Sequence, residues 1–263
     1  MDLGLRGARV LVTAASRGLG AATARQFSRE GAVVVISSRN LEALQNTASS
    51  IVEETGNAVF TQACDVTDNT QIEKLVKNAA SMMGGLDILV TNAGGPPAGN
   101  FDTFDMTVWQ EATQLTLLSA VALIKSALPH LKQSSRAAIL TITSTSAKQP
   151  FENLILSSTI RPAVVGLTKS LSIELGKDNI RVNSILPGIT DTERIQEIAE
   201  STAKINELSV EDVRASMTDD VPLGRIGTPQ EFANVAVLMC SPAGGYLNGV
   251  ALPVDGGWIR ATL

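Results

Sequence analysis

Seven short apolar runs, rich in Val, Ile and Leu, alternate along the chain with longer stretches of helical periodicity. The runs are residues 8–13, 32–37, 58–63, 86–91, 137–143, 180–186 and 250–254. They are apolar throughout, which is typical of strands that are covered on both faces. Strands and helices in alternation indicate a parallel sheet joined by right-handed crossovers. The sequence therefore predicts an α/β fold, a doubly wound parallel sheet with helices on both faces.

No linker or repeat divides the 263 residues, so one domain spanning residues 1–263 is predicted. The segment from about 192 to 221 interrupts the alternation because it is polar, helical and acidic, with Glu211-Asp212 and Asp219-Asp220. It follows a strand end, where ligands of such folds bind. This position predicts a lid over the substrate, and the alternative is a solvated helical insertion.

Composition excludes several functional classes. With one His and two Cys, the chain lacks the ligands for a His/Cys metal cage. Cys64 and Cys240 are expected to be separate buried thiols of a reducing compartment. The net charge of −5 argues against nucleic acid as a partner. Residues 1–4 carry no basic leader, and no apolar run is judged long enough to span a membrane, so a soluble cytoplasmic protein is predicted.

A glycine-containing turn follows the first predicted strand and opens the first predicted helix. Its residues from 13 to 20 read Thr-Ala-Ala-Ser-Arg-Gly-Leu-Gly. Glycine lets the backbone approach a pyrophosphate, and the helix N-terminus supplies amide donors and a positive dipole end. The alternative is a purely structural turn. The interpretation as a cofactor site places the cofactor against Thr13, Ser16, Arg17, Gly18, Leu19 and Gly20.

This turn resembles the Thr-Gly-x-x-x-Gly-x-Gly turn of the short-chain dehydrogenase/reductase family, with Ala14 in place of its first glycine. The resemblance continues in order along almost the whole chain, at Asp65-Val66, Asn92-Ala93-Gly94, Asn183 with Pro187-Gly188, and residues 254–257. It implies a Rossmann-type fold, a nicotinamide cofactor and a homo-oligomer, either a tetramer or a dimer. The cofactor contacts that it implies beyond the glycine turn are Asp65, Val66, Asn92, Ala93, Gly94, Arg161, Pro187, Gly188, Thr190 and Thr192.

The end of the second predicted strand indicates which nicotinamide cofactor binds. Folds that bind NAD place a carboxylate there to hold the ribose hydroxyls. This chain has Ser38 at that position, and Arg39 follows with donors suited to a 2′-phosphate. Arg17 would add a second positive charge, although both arginines could instead be solvated surface residues. The sequence therefore predicts NADP(H).

The catalytic residues of the family are Asn, Ser, Tyr and Lys, and the resemblance places these positions at Thr116, Ser144, Ser157 and Arg161. Only the serine is retained. The single tyrosine of the chain, Tyr246, lies outside the motif and is interpreted as a packing residue. The sequence thus identifies a divergent member that lacks the Tyr-x-x-x-Lys pair.

A serine hydroxyl is a much weaker acid than a phenol, whereas an arginine can stabilise a developing alkoxide. The hypothesis is that Ser144 orients the substrate oxygen, Arg161 supplies positive charge, and Ser157 or a water delivers the proton. Lys148 is a further candidate. Pro162 predicts a helix that begins near Ser158 or Thr159, or one that is kinked, so that Ser157 and Arg161 need not share a face.

Two functions fit these residues. The first is an NADP(H)-dependent oxidoreductase that transfers a hydride between nicotinamide and a small-molecule carbonyl or alcohol, with 3-oxoacyl compounds as one class. The alternative is a catalytically inactive NADP-binding sensor or partner subunit. A different reaction in the same pocket, dehydration or isomerisation, is a third reading. Turnover of NADPH across a panel of carbonyl compounds discriminates among them.

Overall fold

A computed structural model describes residues 1–262 and shows seven parallel strands in one sheet. Each strand lies within two residues of a predicted apolar run, and the fold class is confirmed. The strand order is β3-β2-β1-β4-β5-β6-β7. The strands are β1 (Arg9–Thr13), β2 (Val33–Ser38), β3 (Val59–Ala63), β4 (Ile88–Thr91), β5 (Ala138–Ile142), β6 (Arg181–Pro187) and β7 (Ala251–Val254).

Helices cover both faces of the sheet because each strand presents apolar side chains in both directions. In β1, Val10 and Val12 belong to one core with Phe27, whereas Leu11 belongs to a second core with Leu75. The helices are α1 (Gly18–Arg29), α2 (Leu41–Thr55), α3 (Asn69–Met83), α4 (Met106–Thr113), α5 (Ser119–Leu131), α6 (Ile155–Glu174), α7 (Glu193–Asn206), α8 (Val210–Ser216) and α9 (Pro229–Cys240).

The sheet changes direction between β1 and β4, which lie side by side. From β1 the chain adds β2 and β3 on one side, and it then crosses over to add β4 through β7 on the other. The loops that leave β1 and β4 at their carboxyl ends therefore diverge, and a crevice opens between them. In open α/β sheets this crevice is where ligands bind.

The predicted start of the helix that holds Arg161 is wrong. Helix α6 begins at Ile155, ahead of the predicted start, and Pro162 lies inside it. Ser157 and Arg161 remain one turn apart and are joined by a hydrogen bond of 2.9 Å from Arg161 Nε to Ser157 Oγ. The proline removes only one backbone N–H donor, and the helix continues through it to Glu174.

One helical stretch bears on the expectation that no apolar run spans a membrane. Helices α4 and α5 are joined through a π-helical turn, Gln114–Leu118, into one helical stretch, Met106–Leu131, that is long and apolar enough to cross a membrane by length and composition. Its residues Leu123, Ala127 and Leu131 are buried in the core beside α3 and the sheet. A core helix of a globular domain meets the same criterion.

The two thiols are free and buried, as predicted. Burial raises the pKa of the Cys240 thiol to about 12 and that of Cys64 to about 11. Tyr246, in contrast, is fully exposed, so its interpretation as a packing residue is wrong within this chain. It lies in the loop before β7, where Leu247 rather than Tyr246 turns towards the core.

Candidate functional site

The residues singled out in the sequence gather at the carboxyl edge of the sheet. The glycine turn follows β1, Ser38 ends β2, Asn92 follows β4, Ser144 follows β5, and Pro187 ends β6. Because all seven strands are parallel, these ends meet at one edge, on either side of the crevice between β1 and β4.

The glycine turn forms a tight cradle at the start of α1. A Cβ on Gly20 would overlap the Ala14 carbonyl oxygen and come within 2.9 Å of Ala15 Cα, so only glycine fits there. Helix α1 has no acidic residue in its first turn, and Arg17 at its N-cap makes no side-chain cap. No acid or cap of α1 itself therefore satisfies its amide donors and positive end, which suit an anion such as a pyrophosphate.

Ala14 carries the strain of this turn. Its φ is +47°, in the left-handed region that favours glycine. The side-chain amide of Asn92 donates to the Ala14 carbonyl at 3.2 Å, and the Thr13 hydroxyl donates to the Asn92 carbonyl at 2.7 Å. Contacts from β4 thus hold the alanine in a conformation that its own side chain disfavours.

Ala14→Gly is expected to stabilise the protein by about 0.5–1 kcal/mol, because the relief of strain exceeds the entropy that glycine adds to the unfolded chain. Urea unfolding of the variant measures this gain. Ala15→Gly is the matched control, since Ala15 is buried with no positive φ and its replacement should destabilise. A lower free energy of unfolding in Ala14→Gly would contradict the proposal that the backbone of Ala14 is strained.

The ends of β2 and β3 present polar groups on the far side of the turn. Ser38 is partly buried, and Arg39 is exposed without an ion pair among residues 1–262. Asp65 accepts hydrogen bonds from the backbone N–H and the hydroxyl of Thr67, at 2.9 and 2.8 Å. Val66 beside it is buried. The Arg39 guanidinium is therefore available to a bound phosphate.

Arg161 lies at the centre of the candidate catalytic residues. Its Nε donates to Ser157 Oγ at 2.9 Å, and its Nη1 donates to the Thr143 carbonyl at 2.7 Å. Within residues 1–262 no carboxylate pairs with it, and its Nη2 makes no hydrogen bond. Burial lowers the pKa of Arg161 to about 10. The guanidinium is thus fixed at two nitrogens, while the third is free beside Gly95.

The serines divide into two roles. Ser157 Oγ lies 2.9 Å from Ser146 Oγ, and both side chains are buried. Ser144 is outside this pair: its Oγ accepts the Ser146 backbone N–H at 3.2 Å and begins a short 3₁₀ turn, Thr145–Ala147. The Ser144 hydroxyl hydrogen therefore stays free to donate to a ligand, whereas Ser157 faces the interior.

Thr116 lies in the π-helical turn between α4 and α5. Its side chain is 8% exposed, and its hydroxyl has no hydrogen-bond partner among the described residues. It lines one cavity together with Asn92, Gly94 and Arg161. π-Helical turns are frequent at functional sites, and an unpartnered buried hydroxyl is costly unless a ligand or water satisfies it.

The loop after β6 brings the last predicted residues to the glycine turn. The Gly188 N–H donates to the Val254 carbonyl at 3.0 Å, and Thr190 Oγ donates to the Gly188 carbonyl. Thr192 then lies against Gly18, 3.6 Å from where a Cβ would stand on that glycine. This loop carries the segment 192–221, which contains α7 and α8, over the start of α1.

Two contacts of the site were not predicted from the sequence. Ser146 was visible in a Ser/Thr-rich run, but nothing local distinguishes it from Ser144 as the partner of Ser157. Arg17 forms an ion pair with Glu197 of α7 at 2.7 Å across 180 residues. No spacing signal marks a contact of that kind.

Known proteins resemble this chain over nearly its whole length. A family model described as "Enoyl-(Acyl carrier protein) reductase" matches residues 13–259. The 7alpha-hydroxysteroid dehydrogenase of Escherichia coli (strain K12) is 31% identical over 259 residues, which cover 98% of this chain and 97% of that protein.

Solved structures extend the comparison. L-Sorbose reductase from Gluconobacter frateurii, complexed with NADPH and L-sorbose, superposes with a TM-score of 0.96 at 32% identity, covering 99% of this chain and 100% of that one. An NADPH-bound short chain oxidoreductase from Pseudomonas aeruginosa PAO1, containing an atypical catalytic center, gives 0.89 at 29% identity, covering 97% and 98%.

Proposed function

Because the chain belongs to the short-chain dehydrogenase/reductase family, we propose that it is an NADP(H)-dependent oxidoreductase that interconverts a small-molecule carbonyl and the corresponding alcohol. The observation that carries the proposal is Arg161, a guanidinium fixed by Ser157 and Thr143 with one free nitrogen beside the crevice. We further propose that it lacks the Tyr-x-x-x-Lys pair of the family, with Ser157 and Arg161 at those positions.

The residues of the crevice fit NADP(H). The cradle at Gly20 and the uncapped start of α1 suit a pyrophosphate, and no carboxylate ends β2, where Arg39 is exposed. The resemblance assigns Asp65 and Val66, which follow β3, to the adenine. Asn92, Ala93 and Gly94 follow β4 and line one cavity with Arg161. Relatives of the same fold bind NADPH.

The free Nη2 of Arg161 and the hydroxyl of Ser144 are the groups that would act on the substrate oxygen. When bound, the nicotinamide supplies or accepts the hydride. Ser144 donates its hydroxyl hydrogen to the carbonyl oxygen and orients it. Arg161 places positive charge beside the oxygen as negative charge develops there, which favours the transition state because the guanidinium is already held in position.

The proton comes from a water or from Ser157 and not from Arg161. Burial lowers the pKa of Arg161 only to about 10, and a guanidinium stays protonated in proteins. A water beside Arg161 Nη2 gives a proton to the alkoxide, and the hydroxide that remains exchanges with solvent. Ser157 Oγ accepts a hydrogen bond from Arg161 Nε and so holds the guanidinium in place.

The proposal also covers the lid, the single domain, the location in the cell, the oligomeric state and the substrate class. The segment 192–221 serves as a lid over the substrate within a single domain spanning residues 1–263, of which the last residue lies outside the described range. The protein works in the cytoplasm as a homo-oligomer, a tetramer or dimer. Compounds of the 3-oxoacyl type are one substrate class to test. The inactive cofactor sensor is the weaker alternative, because Arg161 is held at two nitrogens and keeps a third free for a substrate.

Arg39→Asp is expected to weaken NADPH binding by about 10- to 100-fold, since it removes a donor to the 2′-phosphate and adds a like charge. The affinity for NADH, which lacks that phosphate, should be unchanged or improved. Titration of both cofactors at one salt concentration measures the ratio. Arg6→Asp, an exposed arginine before β1, is the control. An unchanged ratio would refute the role of Arg39.

The proposed function is tested by turnover of the purified protein with NADPH and a panel of ketones, aldehydes, sugars and acyl thioesters. Oxidation of NADPH with one member of the panel, lost in Arg161→Met, is expected. Tight NADPH binding without turnover on any compound would favour the cofactor sensor instead.

A further inference from the structure

Helices α7 and α8 form a small unit with an apolar core of their own. Ala199 and Ala203 of α7 pack with Val213 of α8. Arg214 of α8 donates to Gln196 Oε1 at 3.1 Å. It also forms an ion pair at 2.8 Å with Asp191, which directly precedes the segment 192–221. The two helices are thus held to each other by packing and by hydrogen bonds.

This unit joins the rest of the molecule through few contacts. At its base the Asp191 N–H donates to the Gly227 carbonyl at 2.8 Å, and the Gly227 N–H donates to the Ile189 carbonyl at 3.0 Å. On the opposite side Glu197 pairs with Arg17 of the glycine turn at 2.7 Å, and both side chains are about half exposed. The Arg17–Glu197 pair therefore fastens α7 to the turn.

The carboxylates of α7 lie at the positive end of α1. A Glu193 carboxylate oxygen is 3.7 Å from where a Cβ would stand on Gly18, and Glu197 holds the arginine just before it. Helix α1 has neither an acidic first turn nor a side-chain cap of its own. Glu193 and Glu197 thus lie close to the positive end of α1, which would also attract a phosphate.

We propose that Glu197 is a specificity-determining residue that competes with the 2′-phosphate of the cofactor for Arg17. The inference rests on the proposed function and concerns the same site. A guanidinium binds a phosphate dianion more strongly than it binds one exposed carboxylate, because the charge is larger and several oxygens accept. A cofactor with a 2′-phosphate takes Arg17 from Glu197, whereas NADH leaves the pair in place.

The test compares wild-type protein with Glu197→Gln and with Glu200→Gln. Glu200 is an exposed carboxylate one turn further along α7, bonded to Gln196 and not to Arg17, so it controls for the loss of one negative charge on the same helix. Calorimetry measures the affinity of each protein for NADPH, NADH, 2′,5′-ADP and 5′-AMP at low and high salt.

Glu197→Gln is expected to bind NADPH and 2′,5′-ADP about two- to fivefold more tightly at low salt, which is the range for one exposed ion pair. Binding of NADH and 5′-AMP should change less than about twofold, and high salt should shrink the gain. Glu200→Gln should match the wild type.

Three outcomes overturn the inference while the proposed function stands: weaker NADPH binding in Glu197→Gln, equal tightening of NADH, or the same gain in Glu200→Gln. The first of these would mean that the pair clasps the cofactor instead of competing with it. A wild-type protein that binds neither dinucleotide overturns the proposed cofactor, and the inference with it.

Discussion

Arg161→Met is expected to lower kcat/KM for carbonyl reduction by about 10²- to 10³-fold, because it removes the fixed positive charge beside the developing alkoxide. Methionine fills a similar volume but leaves Ser157 and the Thr143 carbonyl without their donor. Steady-state kinetics at saturating NADPH separates this loss from weaker cofactor binding, and circular dichroism checks the fold.

Two further variants sharpen the result for Arg161. Lys148→Met removes an exposed cation four residues after Ser144 and should change the rate less than about twofold. Arg161→Lys keeps a positive charge at this position and should retain part of the activity. Turnover in Arg161→Met equal to that of wild type would refute the mechanism.

The pH dependence follows from the protonated form of Arg161 being the active one in reduction. Burial lowers the pKa of Arg161 to about 10. The reduction rate should therefore be level through neutral pH and should fall as the pH rises through about 10. A rate that falls instead between pH 6 and 8 would show that a group other than Arg161 carries the pH dependence.

Asp87→Ala is expected to reduce the free energy of unfolding by about 1.5–3 kcal/mol, the range for losing hydrogen bonds to a charged group. Asp87 is 2% exposed and directly precedes β4. It lies at the amino-terminal ends of the strands, whereas the site lies at their carboxyl ends. It accepts from Arg9 Nη2 at 2.6 Å and from the Ser134 hydroxyl at 2.6 Å, and Arg136 Nε lies 3.5 Å away. Removal of the carboxylate leaves these donors unpaired.

The same network predicts a loss of stability in acid. Burial alone would raise the pKa of Asp87, but hydrogen bonds from Arg9 and Ser134 outweigh it and lower that pKa to about 2. A carboxyl whose pKa is lower in the folded state stabilises the protein above the unfolded value of about 3.9. That contribution, about 2–3 kcal/mol, should disappear as the pH falls from about 4 to 2.

Urea unfolding between pH 2 and 7 measures this dependence. Asp87→Asn should remove about 2–3 kcal/mol of the change between pH 4 and 2, while Asp102→Asn, at an exposed position, should leave the change intact. An Asp87→Asn variant with the full acid dependence of the wild type would show that other carboxyls carry it.

Much of the site was predictable because its residues directly follow predicted strands in the sequence. The glycine turn, Asn92 and Pro187 each follow an apolar run directly, and parallel strand ends must share one edge. The partner of Ser157 was not predictable, because Ser144 and Ser146 lie two residues apart and only the turn after β5 decides which hydroxyl faces α6. The effect of Pro162 was likewise decided by the packing of α6.

The sequence by itself determined the fold, since continuous apolar runs demand cover on both faces and such strands pair in parallel. It also determined where the cofactor turn lies and that any proton donor at the position of Ser157 is not a phenol. Only the tertiary structure decided that Arg161 has one free nitrogen, that Arg17 meets Glu197, and that Tyr246 is exposed. These contacts join loops that are distant in the chain, and residue patterns within a short window carry no information about them.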